Sequence, residues 1–155
     1  MSADPEVSVV ADSISPHGDR LTSVLVKMHR FPLAEVNTHR VLSRNSASSR
    51  AIPVDVQLQR FIEDPWYPLE WPREQPGMQG GTFLADDDLV AAQRLMHDVH
   101  AWTSSLITQY LREHPEKPTR LHKSLINRLM EWGQSHTVLL SGTTWEGFLI
   151  GRAHV

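Results

Sequence analysis

The sequence predicts an α+β fold in a single domain, with a few antiparallel strands packed against several helices. Three observations predict it. LTSVLVKMHRF and TVLLSGTT carry β-branched and apolar residues in strand-like runs. Longer stretches from Val54 and Asp87 instead space their apolar residues three and four apart. The chain has 155 residues, 40% hydrophobic and 21% charged, the balance of one ordinary globular domain.

Residues 1–20 are polar and interrupted by Pro5, Pro16 and Gly18, and read as a loosely ordered lead-in to a domain spanning 21–155. Val24, Val26 and Met28 then alternate with Leu25, Lys27 and His29, so a strand is expected from about Thr22 to Arg30. Pro32 suits the first turn of a helix that Leu33, Val36, Val41 and Leu42 would carry to about Ser43. The small polar residues from Asn45 to Ser49 would end it. Pro53 opens a second helix, VDVQLQRFIED, with Val54, Leu58, Phe61 and Ile62 on its inner face. Four prolines and three glycines between Asp64 and Gly81 predict a long ordered loop. Asp86 is placed to cap a long helix, about Asp87 to Glu113, that stops at His114-Pro115. Thr119 begins another, TRLHKSLINRLMEW, followed by the strand TVLLSGTT and a last helix from about Trp145 through Phe148, Leu149 and Ile150. No internal repeat is present.

Composition removes several functions. Without cysteine there is no disulfide, thiolate nucleophile or cysteine-bound zinc. A net charge of -3 argues against a nucleic-acid partner held by overall charge. No basic segment followed by an apolar core opens the chain, and no apolar run has membrane-spanning length. A soluble cytoplasmic protein with no membrane partner is expected. His97 and His100 sit three apart and could share a metal, but no third ligand accompanies them, so no metal is expected and a surface helix face is the simpler reading. GMQGG, residues 77–81, lacks the strand-to-helix context of a dinucleotide fingerprint. Trp66 and Trp71 could stack on a flavin or folate ring; pinning the proline-rich loop to the core is the plainer role. The apolar faces of the two long helices suggest a homo-oligomer.

One segment stands apart. THRVLSRNSASSR, residues 38–50, holds three arginines, a histidine, four serines and an asparagine without one acid. If the helix reaches Ser43, His39 and Ser43 share a face with Arg40 beside them. In an extended continuation Ser48 and Arg50 point the same way. Arginine's planar fork matches a phosphate, and serine hydroxyls complete an anion's shell, so a pocket for a phosphorylated small molecule is expected. A solvated helix end with an arginine-rich surface is the competing reading.

The pattern His39-Arg40-x-x-Ser43-x-Asn45-x-x-Ser48-x-Arg50 resembles the signature of the flavin-dependent thymidylate synthases. The resemblance runs from roughly Leu25 to Arg152 and takes in the stretch His122 to Arg128 and the ending TTWEGFLIGR. It implies that family's fold and the methylation of dUMP to dTMP. Methylenetetrahydrofolate would supply the carbon, FAD would carry the hydride, and NADPH would reduce the flavin. It also implies a homotetramer with sites shared between subunits. Carried over by position, Thr38, His39, Arg40 and Ser46 would meet FAD. Glu35, Ser46, Ser48, Ser49 and Arg50 would line the nucleotide, with Arg50 on its phosphate and Arg128 as a second phosphate-binding arginine. Arg152 would stabilise the ionised uracil ring, which makes carbon 5 nucleophilic without an enzyme nucleophile.

The sequence departs from the pattern in places. Thr38 stands for an arginine, Ser46 for a common glutamate, Ser49 for a common glycine and Ala51 for a common tyrosine. Ser141, Thr143 and Gly147 replace polar or charged residues. Family members continue beyond the arginine matched by Arg152 with a further helix, so a short or C-terminally truncated member is expected, with Arg152 poorly supported. Two other outcomes fit the residues: a nucleotide-binding homologue with weak or no turnover, and a related pyrimidine-nucleotide methyl- or hydroxymethyltransferase.

Overall fold

The computed structural model describes residues 4–77 and 81–149 and has the α+β class that the sequence predicts. It is organised as two compact units, residues 4–51 with 135–149, and residues 52–134.

The first unit is built on a four-stranded antiparallel sheet in the order β1-β2-β4-β3. Its strands are β1 (Glu6–Ile14), β2 (Arg20–His29), β3 (Ser43–Ser46) and β4 (Ser135–Gly142). Residues alternate sides along a strand, and β4 shows it: His136, Val138, Leu140 and Gly142 are buried, while the residues between them are not. Val24, Val26 and Met28 of β2 pair with Leu140, Val138 and His136. The β2 and β4 segments therefore form strands as their sequence patterns predict.

β1 corrects the expectation of a loose lead-in. A tight turn from Ser15 to Asp19, with Gly18 at φ +90°, returns the chain so that β1 pairs with β2 from Glu6↔Lys27 to Ile14↔Arg20. All nine β1 residues are exposed, so backbone pairing and not burial orders this strand. A bulge between Val9 and Ala11 interrupts its register.

The first helix is also shorter than expected. α1 spans only Leu33–Val36. A continuing helix would bond the carbonyls of Val36, Asn37 and His39 to backbone N–H groups four residues on. Instead Arg44 Nη1 donates to all three, at 3.3, 2.5 and 3.3 Å, while Val36 O and His39 O also accept three-residue turn bonds from His39 N and Leu42 N. The chain turns, and Ser43–Ser46 joins the sheet edge as β3, paired with β4 from Ser43↔Ser141 to Ser46↔Val138. α5 (Glu146–Leu149) starts where the sequence expects it; Ile150 and Arg152 lie outside the described residues.

The second unit contains α2 (Val54–Glu63) and α3 (Asp86–Glu113), both close to their predicted bounds. At the start of α3 the N-cap is Ala85 and not Asp86, which is itself helical with φ 49° and makes no cap bond. Aspartate tolerates that backbone region better than most residues. Asp86, Asp87 and Asp88 place negative charge at the positive end of the helix dipole. Arg120 satisfies the other end, its Nε donating to His114 O at 2.5 Å.

The helix expected from Thr119 is broken into pieces. A 3₁₀ turn spans Lys117–Thr119, α4 spans Lys123–Ile126, and a further 3₁₀ run spans Asn127–Gly133. Asn127, Met130 and Gly133 are buried at three-residue spacing, the period of a 3₁₀ helix and not of an α-helix. They help form a core of Phe61, Ile107, Ile126 and Met130.

The proline-rich loop after Asp64 is ordered by this core. Trp66 is 1% exposed, donates its backbone N–H to Gly133 O at 3.0 Å, and donates from Nε1 to Asp64. Trp71 is half-buried, and its carbonyl accepts from Leu84 N at 2.7 Å.

Candidate functional site

The residues singled out between Glu35 and Arg50 form a connected turn–strand–turn in the first unit. Arg44 is its brace: one end belongs to β3 and the other closes the turn that carries His39 and Arg40. Arg44 is not among the residues that the family pattern singles out, although an arginine inside a run of small polar residues has the donors to satisfy a helix end.

His39 is half-buried, with its ring edge-on to Phe148 at 5.0 Å between centroids. Phe148 is in turn edge-on to Trp145, whose Nε1 donates to Gly142 O at 3.0 Å. The imidazole thus rests on one ring, which Trp145 packs against in turn. Arg40 is exposed, and its guanidinium is not tied to another group among the described residues. Thr38 Oγ1 donates to Glu35 O at 2.6 Å, so its hydroxyl is left only as an acceptor. Glu35 is exposed on α1.

Because directly paired residues share a sheet face, Arg44 and Ser46 lie on the side of Leu140 and Val138, and Ser43 and Asn45 on the side of Ser141 and Leu139. His39 and Ser43 therefore do not share a helix face, contrary to the expectation from a longer α1.

Beyond β3 the chain turns instead of extending. Ser48 Oγ accepts from Arg50 N at 3.3 Å, and Ser48 O accepts from Ala51 N at 2.9 Å. This short serine turn sets Arg50 relative to Ser48 in place of the extended geometry the sequence suggested. Ser46, Ser48 and Arg50 are exposed, whereas Ser49 is 6% exposed. The guanidinium of Arg50, like that of Arg40, is untied among the described residues. Two arginines untied among the described residues, and the exposed serine hydroxyls of the same segment, are groups that attract anions.

Arg128 is exposed on the 3₁₀ run of the second unit. That unit also holds a cavity of about 480 Å³ lined by Lys117, Arg120, His122 and Lys123, with Asp55 as its one acid and Val54, Leu121 and Ile126 as apolar walls. His97 packs against the Tyr67 ring at 4.5 Å, and His100 Nε2 meets Phe61 O at 2.6 Å. Both histidines are thus engaged in packing. Among the described residues no group of three or more His, Asp or Glu side chains could hold a metal, and no helix is long and apolar enough to cross a membrane.

No family model matches the sequence, and no curated protein matches it significantly. Among solved structures the chain is similar to the UMP/dUMP methylase PolB from Streptomyces cacaoi, bound with 5-Br UMP. The TM-score is 0.66 at 14% identity, over 91% of this chain and 72% of that one. At that identity the likeness is one of fold: this α+β chain has the fold of a UMP/dUMP methylase.

Proposed function

We propose that this protein binds a pyrimidine nucleoside monophosphate and methylates carbon 5 of its base, as a flavin-dependent thymidylate synthase acting on dUMP. The observation that carries the reading is a coincidence of two independent kinds. The residues resembling the family signature form one braced edge with two arginines untied among the described residues, and the chain around them has the fold of a UMP/dUMP methylase. UMP is the second acceptor to consider, because the similar structure is that of a UMP/dUMP methylase.

In this reading Arg50 takes the nucleotide phosphate with its fork, and the Ser46 and Ser48 hydroxyls complete the shell. Glu35, Ser49 and Arg128 belong to the nucleotide set by position. The buried Ser49 acts through the turn it occupies, and the exposed Arg128 as a further cation.

The residues present fit a flavin in part. Arg40 is exposed with its fork untied among the described residues, and His39 offers a ring that packs on Phe148. Thr38 can contribute only as an acceptor. When bound, FAD reduced by NADPH would supply a hydride, and methylenetetrahydrofolate the carbon. The protein's own work is to hold the nucleotide phosphate, to keep the two ligands in register, and to set a cation beside the base where negative charge develops, the role that falls to Arg152. A homotetramer belongs to the same reading.

The test is product analysis. The purified protein is incubated with methylenetetrahydrofolate, FAD, NADPH and either dUMP or UMP, and the nucleotides are separated by chromatography. The reading expects dTMP from dUMP. Product from UMP alone would move the acceptor to the ribonucleotide, and no methylated product from either would refute the activity.

A further inference from the structure

The cavity of about 480 Å³ in the second unit holds a charge that its own residues do not cancel. Its walls come from the start of α2 and from the segment between Lys117 and Ile126. Lys117, Arg120 and Lys123 bring three positive charges to it, and Asp55 brings one negative. The side chains of Lys117, Lys123 and Asp55 make no hydrogen bond or ion pair among the described residues. Two positive charges are therefore left over in a concave space, where the field on an anion is stronger than at a flat surface.

The segment that carries these cations is fixed by the fold itself. Leu121 N donates to the Tyr110 hydroxyl at 2.6 Å. Arg120 is anchored to the end of α3, its Nε on His114 O and its Nη2 on Leu111 O at 3.5 Å, which leaves Nη1 untied among the described residues. His122 caps α4, where its Nδ1 accepts from Ser124 N at 3.3 Å. The neutral ring then carries its proton on Nε2, as a further donor.

These groups select the kind of anion. One edge of the Arg120 fork is already engaged with carbonyls, so the cavity lacks the planar two-bond contact that carboxylates favour. Lysine ammonium groups are point charges that suit a tetrahedral phosphate. A phosphate monoester carries a charge close to about -2 at neutral pH, which matches the two charges left over. The rest of the wall is hydrocarbon, from Val54, Leu121 and Ile126. Leu121 is 48% exposed, so it has apolar surface for a ligand to cover. A nucleobase against that wall would lose water from its polar edge without a side-chain partner, at a cost in free energy. An apolar body loses nothing there. The volume falls within the range of small-molecule sites, roughly 300 to 1,000 Å³.

We propose that this cavity is a second ligand site, which takes a small phosphate monoester with an apolar body. It shares no residue with the edge between Glu35 and Arg50, so it stands or falls separately from the nucleotide reading.

Phenyl phosphate is the probe, with inorganic phosphate and benzyl alcohol as its two halves. Each is titrated into the full chain, and the amide signals of Val54, Asp55, Leu121, His122 and Lys123 are followed by NMR. The proposal expects saturable shifts at these residues, with phenyl phosphate binding about tenfold or more tighter than either half. Replacing Lys117 and Lys123 together by Gln should weaken phenyl phosphate and inorganic phosphate alike, by about tenfold or more. Leu121→Asn should weaken phenyl phosphate and leave inorganic phosphate unchanged. Neither lysine side chain holds the fold together, and unshifted signals from the Phe61–Met130 core verify that each variant is folded. Shifts confined to the edge between Glu35 and Arg50, inorganic phosphate binding as tightly as phenyl phosphate, or full affinity in the double lysine variant would each overturn the proposal.

Discussion

Leu42 packs directly against Gly142: a Cβ at Gly142 would come within 2.5 Å of Leu42 Cδ2. Leu42 is 3% exposed and closes the turn between α1 and β3, and Gly142 ends β4. Adding one methyl group at position 142 must push Leu42, and with it the turn that carries His39 and Arg40. Gly142→Ala should therefore cost about 1 to 3 kcal/mol of stability, the range for overpacking a filled site. Urea unfolding measures it. An unchanged midpoint would mean that Leu42 is not held where the structure places it.

Arg44 should matter without touching a ligand. Replacing it with Ala removes the donor of Asn37 O and one of the two donors of Val36 O and His39 O, which keep the backbone N–H groups of His39 and Leu42. These are solvent-facing, so the expected stability loss is modest, about 1 kcal/mol. The larger effect should be on flavin retention, because the turn presenting His39 and Arg40 loses its brace. Arg44→Lys should rescue only partly, since an ammonium lacks the planar fork. Flavin absorbance after gel filtration, compared across the two variants, checks this.

Arg50 should behave in the opposite way. Its guanidinium is exposed and untied among the described residues, so Arg50→Ala should leave stability unchanged. Nucleotide binding should weaken by about 1.5 to 3 kcal/mol, the range for hydrogen bonds to a charged group. Titration calorimetry with dUMP reads it, and equal affinity in a folded variant would remove Arg50 from the site.

The β1–β2 hairpin should have its own acid transition. The Arg20 guanidinium bonded to Asp12, together with the Thr22 hydroxyl, holds the Asp12 carboxyl down from 3.8 to about 2. A depressed carboxylate stabilises the folded form above its unfolded value, and that contribution fades as pH falls from 3.8 through about 2. Both side chains face solvent, so the effect should be small and weakened by salt. Hairpin amide exchange in the wild type and in Asp12→Asn, followed by NMR across that pH range, should converge at the acid end. A constant difference at all pH values would contradict this assignment.

Much of the fold is written in local pattern. α2 and α3 keep helical spacing over ten and twenty-eight residues, and β2 and β4 supply the strands at the centre of the sheet. What escaped the pattern is set by distant partners or by the backbone. β1 is exposed along its whole length and exists because β2 offers it a ladder. α1 stops where a side chain seven residues on takes the carbonyl of Asn37. The segment after Thr119 alternates helix types because Asn127, Met130 and Gly133 must face inward three residues apart.

The candidate site divides in the same way. The residue types of the signature were legible as a spaced run from His39 to Arg50. Their conformation was not, because a serine turn and an edge strand replaced the helix and extended segment that composition suggested. Ser49 shows the limit most clearly: one of four similar serines in the run, it alone is buried.

The most direct test of the account is tritium release from dUMP labelled at carbon 5. Release requires the base to be bound and its carbon 5 proton to be lost, which binding alone cannot produce. The account predicts release by the wild-type protein that depends on FAD, NADPH and methylenetetrahydrofolate and falls sharply in Arg50→Ala at subsaturating dUMP. No release from wild-type protein that demonstrably binds both dUMP and FAD would contradict it.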